Sequence, residues 1–239
     1  MSRNYLLTAV VAVIAALAAP SVGQAAFVRA TLAGAGPGLT SPEYVIRIDW
    51  VQAPTLAIPE APWLDHNFSS FCIQREQDVG FGGTYEFTTK ALENSPVPGA
   101  AMEIPAADRI RRLWAADRAG LGTDNYKNAA FQIAIWTILN SSYLQNFGSL
   151  SAANQAIVNG YVATYLGDST TFASKANLIA LTSISSQDQI VEVKGGYTVT
   201  GDEVVPTPAP AGLILAALGI PAFGLLRRIG RKTRVAVAS

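Results

Sequence analysis

Two residues carry chemistry that their surroundings leave unexplained. Cys72, in Ser70-Phe71-Cys72-Ile73-Gln74, is the chain's single cysteine. Gln132, in Ala130-Phe131-Gln132-Ile133-Ala134-Ile135-Trp136, is the main polar interruption of the most apolar segment. A lone thiol has no intramolecular disulfide partner, so in an exported chain it points to intermolecular pairing or to a special reaction. A buried primary amide is costly unless its groups are satisfied. Each also has a structural reading. Cysteine packs as a small hydrophobe, and a helix glutamine can tie down a loop backbone without reacting. The one histidine, His66, lies in Leu64-Asp65-His66-Asn67. A thiol hydrolase would have to pair it with Cys72, and solvation of His66 is the simpler account. With one Cys and one His, a metal site built from several such ligands is excluded. No cofactor is called for, and the reading is non-enzymatic.

The elements that must position these residues follow from hydrophobic periodicity. Tyr44, Ile46, Ile48 and Trp50 alternate with Val45, Arg47 and Asp49, the period of a half-buried strand. Phe27 to Leu32, Phe68 to Gln74 and Thr84 to Thr89 are further predicted strands. Gly36-Pro37-Gly38 marks a turn, and a Pro-rich loop covers Ala53 to Pro62. Three helices follow. One opens at Pro105, carries Ile110, Leu113, Trp114 and Asp117 at helical spacing, and ends at Gly120. Arg109, Arg111 and Arg112 lie outside its stripe, as a solvated face. The second is capped by Thr123-Asp124 and runs from about Asn125 to Asn140, apolar nearly all round and therefore buried. The third spans about Ser151 to Leu166, with Gly167 as its stop. Ile190 to Val193 and Tyr197 to Val199, flanking Gly195-Gly196, read as a hairpin. The fold class is α+β: a single domain of antiparallel strands with a helical subdomain.

Of 239 residues, 50% are hydrophobic and 14% charged, where a soluble domain carries about 25% charged residues. The termini supply part of the shortfall. Residues 1–26 read as a signal peptide: Arg3, an apolar run from Tyr5 to Ala19, then small residues at Gly23, Ala25 and Ala26. At the other end, Val205-Pro206-Thr207-Pro208-Ala209-Pro210 leads into an apolar segment over 211–226. Arg227, Arg228, Arg231, Lys232 and Arg234 follow it. That layout predicts a transmembrane helix with its basic end in the cytoplasm. At 16 residues it is short for a span of about 20, which snorkelling arginines extend. Between the ends, residues 27–204 hold 11 basic and 17 acidic residues, a net charge of −6 that the basic tail masks in the chain's formal zero. This excludes nucleic acid as a partner.

The tail over 205–234 resembles the PEP-CTERM sorting signal of Gram-negative bacteria, in which a Pro-Glu-Pro box precedes a transmembrane helix and an Arg-rich end. Here Pro206, Thr207 and Pro208 form the box, with Thr in place of Glu, and Arg227 and Arg228 begin the basic end. The resemblance implies export, inner-membrane anchoring, an exosortase-type processing enzyme as a partner, and release to the cell surface or extracellular matrix.

Phe71-Cys72-Ile73, followed by Gln132-Ile133-Ala134-Ile135-Trp136, resembles the bacterial thioester domain. The family often has Thr before its Gln, where this chain has Phe131, and Asn or an acidic residue two after its Cys, where this chain has Gln74. The resemblance implies that the Cys72 thiol and the Gln132 amide condense with loss of ammonia. It also implies an adhesin-type covalent attachment to an amine-bearing surface protein or polysaccharide. Phe71, Phe131 and Trp136 are then the candidates to shield the bond. The alternative expectation is a non-covalent surface module of the same fold without the thioester.

Overall fold

Alternation of apolar and polar residues makes strands of the first half of the chain, and the strands close on themselves. The computed structural model describes residues 27–39, 45–74, 77–141 and 150–207. The expected signal peptide and the expected helix over 211–226 lie outside them. Among the described residues no helix is long and apolar enough to cross a membrane.

Strands β1 (Phe27–Leu39), β2 (Val45–Gln52), β3 (Asn67–Cys72), β4 (Thr84–Lys90), β5 (Leu178–Thr182) and β6 (Gln189–Glu192) form a closed antiparallel barrel in the order β1-β2-β3-β6-β5-β4. The turn expected at 36–38 is absent. β1 continues through it by two register shifts, between Leu32 and Gly34 and between Ala35 and Gly38. Glycine permits this by close approach. A Cβ on Gly36 would meet Arg47 Nε at 2.9 Å and Asp49 Oδ2 at 3.0 Å. Trp50 anchors the sheet core, stacked on Phe68 at 6.3 Å between ring centroids and edge-on to Phe87 at 5.5 Å.

Three helices follow: α1 (Glu103–Asp117), α2 (Asn125–Leu139) and α3 (Ala152–Thr171). α1 buries Ala107, Ile110, Leu113 and Trp114, one stripe at helical spacing. Asp124 caps α2, accepting from the N–H groups of Tyr126 and Lys127. From Asn128 to Trp136 every residue of α2 is buried, as its nearly all-round apolar character predicts. α3 passes through Gly167 to Thr171, where the sequence suggested a stop; the hydroxyls of Thr170 and Thr171 bond back to the Gly167 carbonyl. The three arginines of α1 are not simply solvated. Arg109 donates to Ser169 on α3, Arg111 pairs with Glu93 at 2.6 Å, and Arg112 donates to the Phe172 carbonyl.

The predicted hairpin around Gly195-Gly196 does not form. β6 pairs with β3 and β5 instead, and β7 (Tyr197–Thr200) pairs with β8 (Glu203–Pro206) in a separate two-stranded sheet. Its turn is fastened by Asp202, whose carboxylate accepts from Lys90 Nζ and Ala91 N, both at 2.9 Å.

Candidate functional site

Cys72 is the last residue of β3, and the barrel register sets what it meets. Phe71 lies opposite Ile190 and Cys72 opposite Gln189. Directly paired residues share a sheet face, and successive residues alternate faces. Phe68, Ser70 and Cys72 therefore lie on one face with Gln189, while Phe71 lies on the other.

Gln132 reaches this strand end from α2, fully buried. Its carboxamide meets the Cys72 backbone rather than the thiol. Gln132 Oε1 accepts from Cys72 N–H at 2.8 Å, and Gln132 Nε2 donates to the Cys72 carbonyl at 2.7 Å. The structure brings Cys72 and Gln132 together, with both ends of the amide committed to main chain and neither to the sulfur.

The sulfur faces two other glutamines, both missed from sequence. Cys72 Sγ lies 2.9 Å from Gln187 Oε1, 3.7 Å from Gln189 Oε1 and 3.6 Å from Gln189 Nε2. A carbonyl bond is about 1.23 Å long, so the Gln187 amide carbon lies within about 4.1 Å of the sulfur. The two glutamines differ in freedom. Gln189 is fully buried, its Oε1 accepts from Ser70 Oγ at 2.7 Å, and its Nε2 donates to the Gln187 carbonyl. Ser70 in turn accepts from Trp50 Nε1 at 2.7 Å, so Gln189 belongs to a fixed polar chain. Gln187 is half-buried, and its Nε2 donates to the Gln74 carbonyl at 2.7 Å. Between them, Asp188 is buried with its carboxylate accepting from Val97 N and Ser183 N. Its main-chain carbonyl accepts from Ile73 N. Asp188 thereby fixes the turn that presents Gln187.

Burial pushes the Cys72 thiol up to about 12, against a lowering contact from Gln189 and with a further raising effect of Asp78. The sulfur is therefore protonated at neutral pH, and its nearest acceptor is Gln187 Oε1 at 2.9 Å.

Two of the expected shielding aromatics, Phe71 and Phe131, join Trp114 in a cluster on the face of β3 opposite Cys72. Phe71 and Phe131 pack at 4.9 Å between centroids, and each lies 5.8 Å from Trp114. The Arg118 guanidinium sits over Phe71 at 5.7 Å. This cluster binds β3 to the helices. Trp136 is buried on α2 one turn beyond Gln132. His66 is exposed, 3.2 Å from Glu60. Of the expected sorting residues, Pro206 ends β8 and Thr207 follows it, while Pro208, Arg227 and Arg228 lie outside the described residues.

Comparison with protein-family models, with curated proteins and with solved structures finds no match.

Proposed function

We propose that the chain is an exported, non-enzymatic surface or matrix protein that stores an internal thioester and couples through it to an amine on a target. The bond joins Cys72 to Gln187, with Gln132 holding the cysteine backbone. One observation carries the choice of partner: the sulfur lies 2.9 Å from Gln187 Oε1, whereas Gln132 is spent on the Cys72 main chain. The sulfur attacks the Gln187 amide carbon, the carbon–nitrogen bond breaks, and the amide leaves as ammonia, taking the thiol proton. Enforced proximity contributes roughly 7–11 kcal/mol to such a step. Half-buried Gln187 gives ammonia a way out and an amine a way in. The amine then forms an amide at Gln187 and returns Cys72 as a thiol. In this proposal the tail over 205–234 serves as the sorting signal for an exosortase-type enzyme, with the membrane as a transient anchor.

The high thiol pKa favours the second reading, a non-covalent binding module, because thiolate is the competent nucleophile. Intact mass of the exported region decides between them. A mass lower by one ammonia, methylamine addition mapped to Gln187, and loss of both in Cys72→Ala and Gln187→Ala support the thioester. A mass equal to that of the sequence, with Cys72 alkylated on denaturation, leaves the non-covalent module. Methylamine mapped to Gln132 or Gln189 overturns the choice of Gln187.

A further inference from the structure

A 470 Å³ cleft opens between the end of α1 and the barrel, at the point where the β3–β6 ladder stops. Its volume is within the range of small-ligand sites. Continued in register past Phe71 and Ile190, the ladder would bring Ser69 opposite Glu192, yet these two do not pair. Both line the cleft instead, together with Trp114 and with Arg118, the residue that follows α1. Leu64 and Ala115 add apolar wall.

The charges around this cleft are almost all matched. Asp65 pairs with Lys194 at 3.0 Å, and nearby Asp49 pairs with Arg47 at 3.0 Å. Arg118 and Glu192 are left over. Among the described residues neither forms an ion pair, and the Arg118 guanidinium makes no hydrogen bond. Both are nevertheless held against one indole. Glu192 Oε2 accepts from Trp114 Nε1 at 2.9 Å, and Arg118 Cζ lies 5.6 Å from the Trp114 ring centroid and 5.7 Å from that of Phe71. Burial, and after it the charge of Arg47, lowers the Arg118 pKa, with Glu192 and Asp49 opposing. The guanidinium is thus half-buried and pinned by two aromatic rings, with its five N–H donors unspent. Desolvation of a cation is costly where no acceptor answers it.

We propose that this cleft binds a small zwitterion of the α-amino-acid type, its carboxylate on Arg118 and its ammonium on Glu192. A pinned guanidinium suits a carboxylate, which it meets through two parallel N–H bonds. Glu192 is exposed and has its second oxygen for the ammonium. A plain anion would gain Arg118 but face the Glu192 carboxylate, and a plain cation would meet the reverse. A zwitterion satisfies both and leaves the two existing ion pairs intact. The site is separate from the thioester reading, because Arg118 sits over Phe71, on the face of β3 opposite Cys72.

The test is calorimetric titration of the full chain with leucine, N-acetyl-leucine and leucinamide at about pH 6, where a free α-amino group is charged. The two derivatives lack the ammonium and the carboxylate in turn. Leucine should bind about tenfold or more tighter than either. Glu192→Gln, at an exposed position and with an acceptor retained for Trp114, should erase the preference for leucine over N-acetyl-leucine. Arg118→Gln should erase the preference over leucinamide. N-acetyl-leucine binding as tightly as leucine would mark a plain anion site and overturns the proposal; leucinamide matching leucine overturns it likewise. A silent titration with both leucine and glycine up to about 10 mM, or preferences unmoved by both substitutions, also overturns it. A mass deficit of one ammonia, present or absent, bears on none of these outcomes.

Discussion

Gln132 holds Cys72 by its main chain, accepting from its N–H at 2.8 Å and donating to its carbonyl at 2.7 Å. This two-point contact lets a helix fix the end of a strand whose next ladder partner is missing, and it leaves the sulfur free to face Gln187.

Removal of that contact should cost stability, not only reactivity. Gln132→Ala orphans a buried N–H and a buried carbonyl and opens a cavity, so a loss of about 3–5 kcal/mol is expected. Gln187→Ala, half-buried at a turn, should cost about 1 kcal/mol or less while abolishing the ammonia deficit. Urea unfolding at constant m-value measures both. A Gln132→Ala protein as stable as wild type would falsify the scaffolding role.

The thiol should be inert wherever it is free in the folded state. Gln187→Met keeps the apolar volume and cannot form the bond. With the Cys72 thiol pushed up to about 12, its alkylation by iodoacetamide at pH 8 should run about three orders of magnitude slower than after unfolding. Comparable rates in the two states would mean that the sulfur is solvated.

Acidity should stabilise the fold between about pH 4 and 6. Burial raises the Asp188 carboxyl to about 6 despite its bonds from Val97 and Ser183, and it raises Asp117 to about 6, with Asp168 adding to the effect. Unfolded carboxyls titrate near 3.9, so within this window the native state binds more protons than the unfolded one, and stability falls as pH rises. For fully buried Asp188 the change is at most about 3 kcal/mol. Asp188→Asn should flatten this part of the pH profile of the melting temperature. An unchanged profile would show that Asp188 does not titrate there.

Ser70 joins Trp50 to Gln189, accepting from one and donating to the other at 2.7 Å each. Ser70→Ala leaves both groups buried without that partner, so a loss of about 2–4 kcal/mol is expected. The freed Gln189 should also reorient, which amide exchange across β3 and β6 would register. Wild-type stability in this variant would show that the polar chain is not a structural element.

The sequence revealed the parts of the site whose signals are local. Ile46, Ile48 and Trp50 alternate as a strand must, Asp124 announces α2, and a run that is apolar apart from Gln132 buries Phe131 and Gln132. β5 escaped because all five of its residues are buried, so Leu178–Thr182 shows no alternation. Gly195-Gly196 suggested a hairpin because the local string fits one, yet β6 finds its partners in β3 and β5. Gln187 and Gln189 were overlooked for the same reason. Their meeting with Cys72 spans a separation of 115 to 117 residues and depends on barrel register, which no short string encodes. Gln132 was found because a polar residue in an apolar helix is conspicuous, and its conspicuousness reflects support of the backbone.

The barrel closes between β3 and β6 through only two partner pairs, Phe71 with Ile190 and Cys72 with Gln189, whereas β6 meets β5 through four. Under the thioester proposal, a covalent link from Cys72 to Gln187 would be a rivet across that narrow seam. Coupling to a target would then transfer the rivet outward: the seam would lose its stitch and the load would arrive at Gln187. Traction would then enter the barrel at the root of β6, a strand laced to neighbours on both sides. Extraction by pulling would have to shear two ladders together instead of unzipping one from a free end.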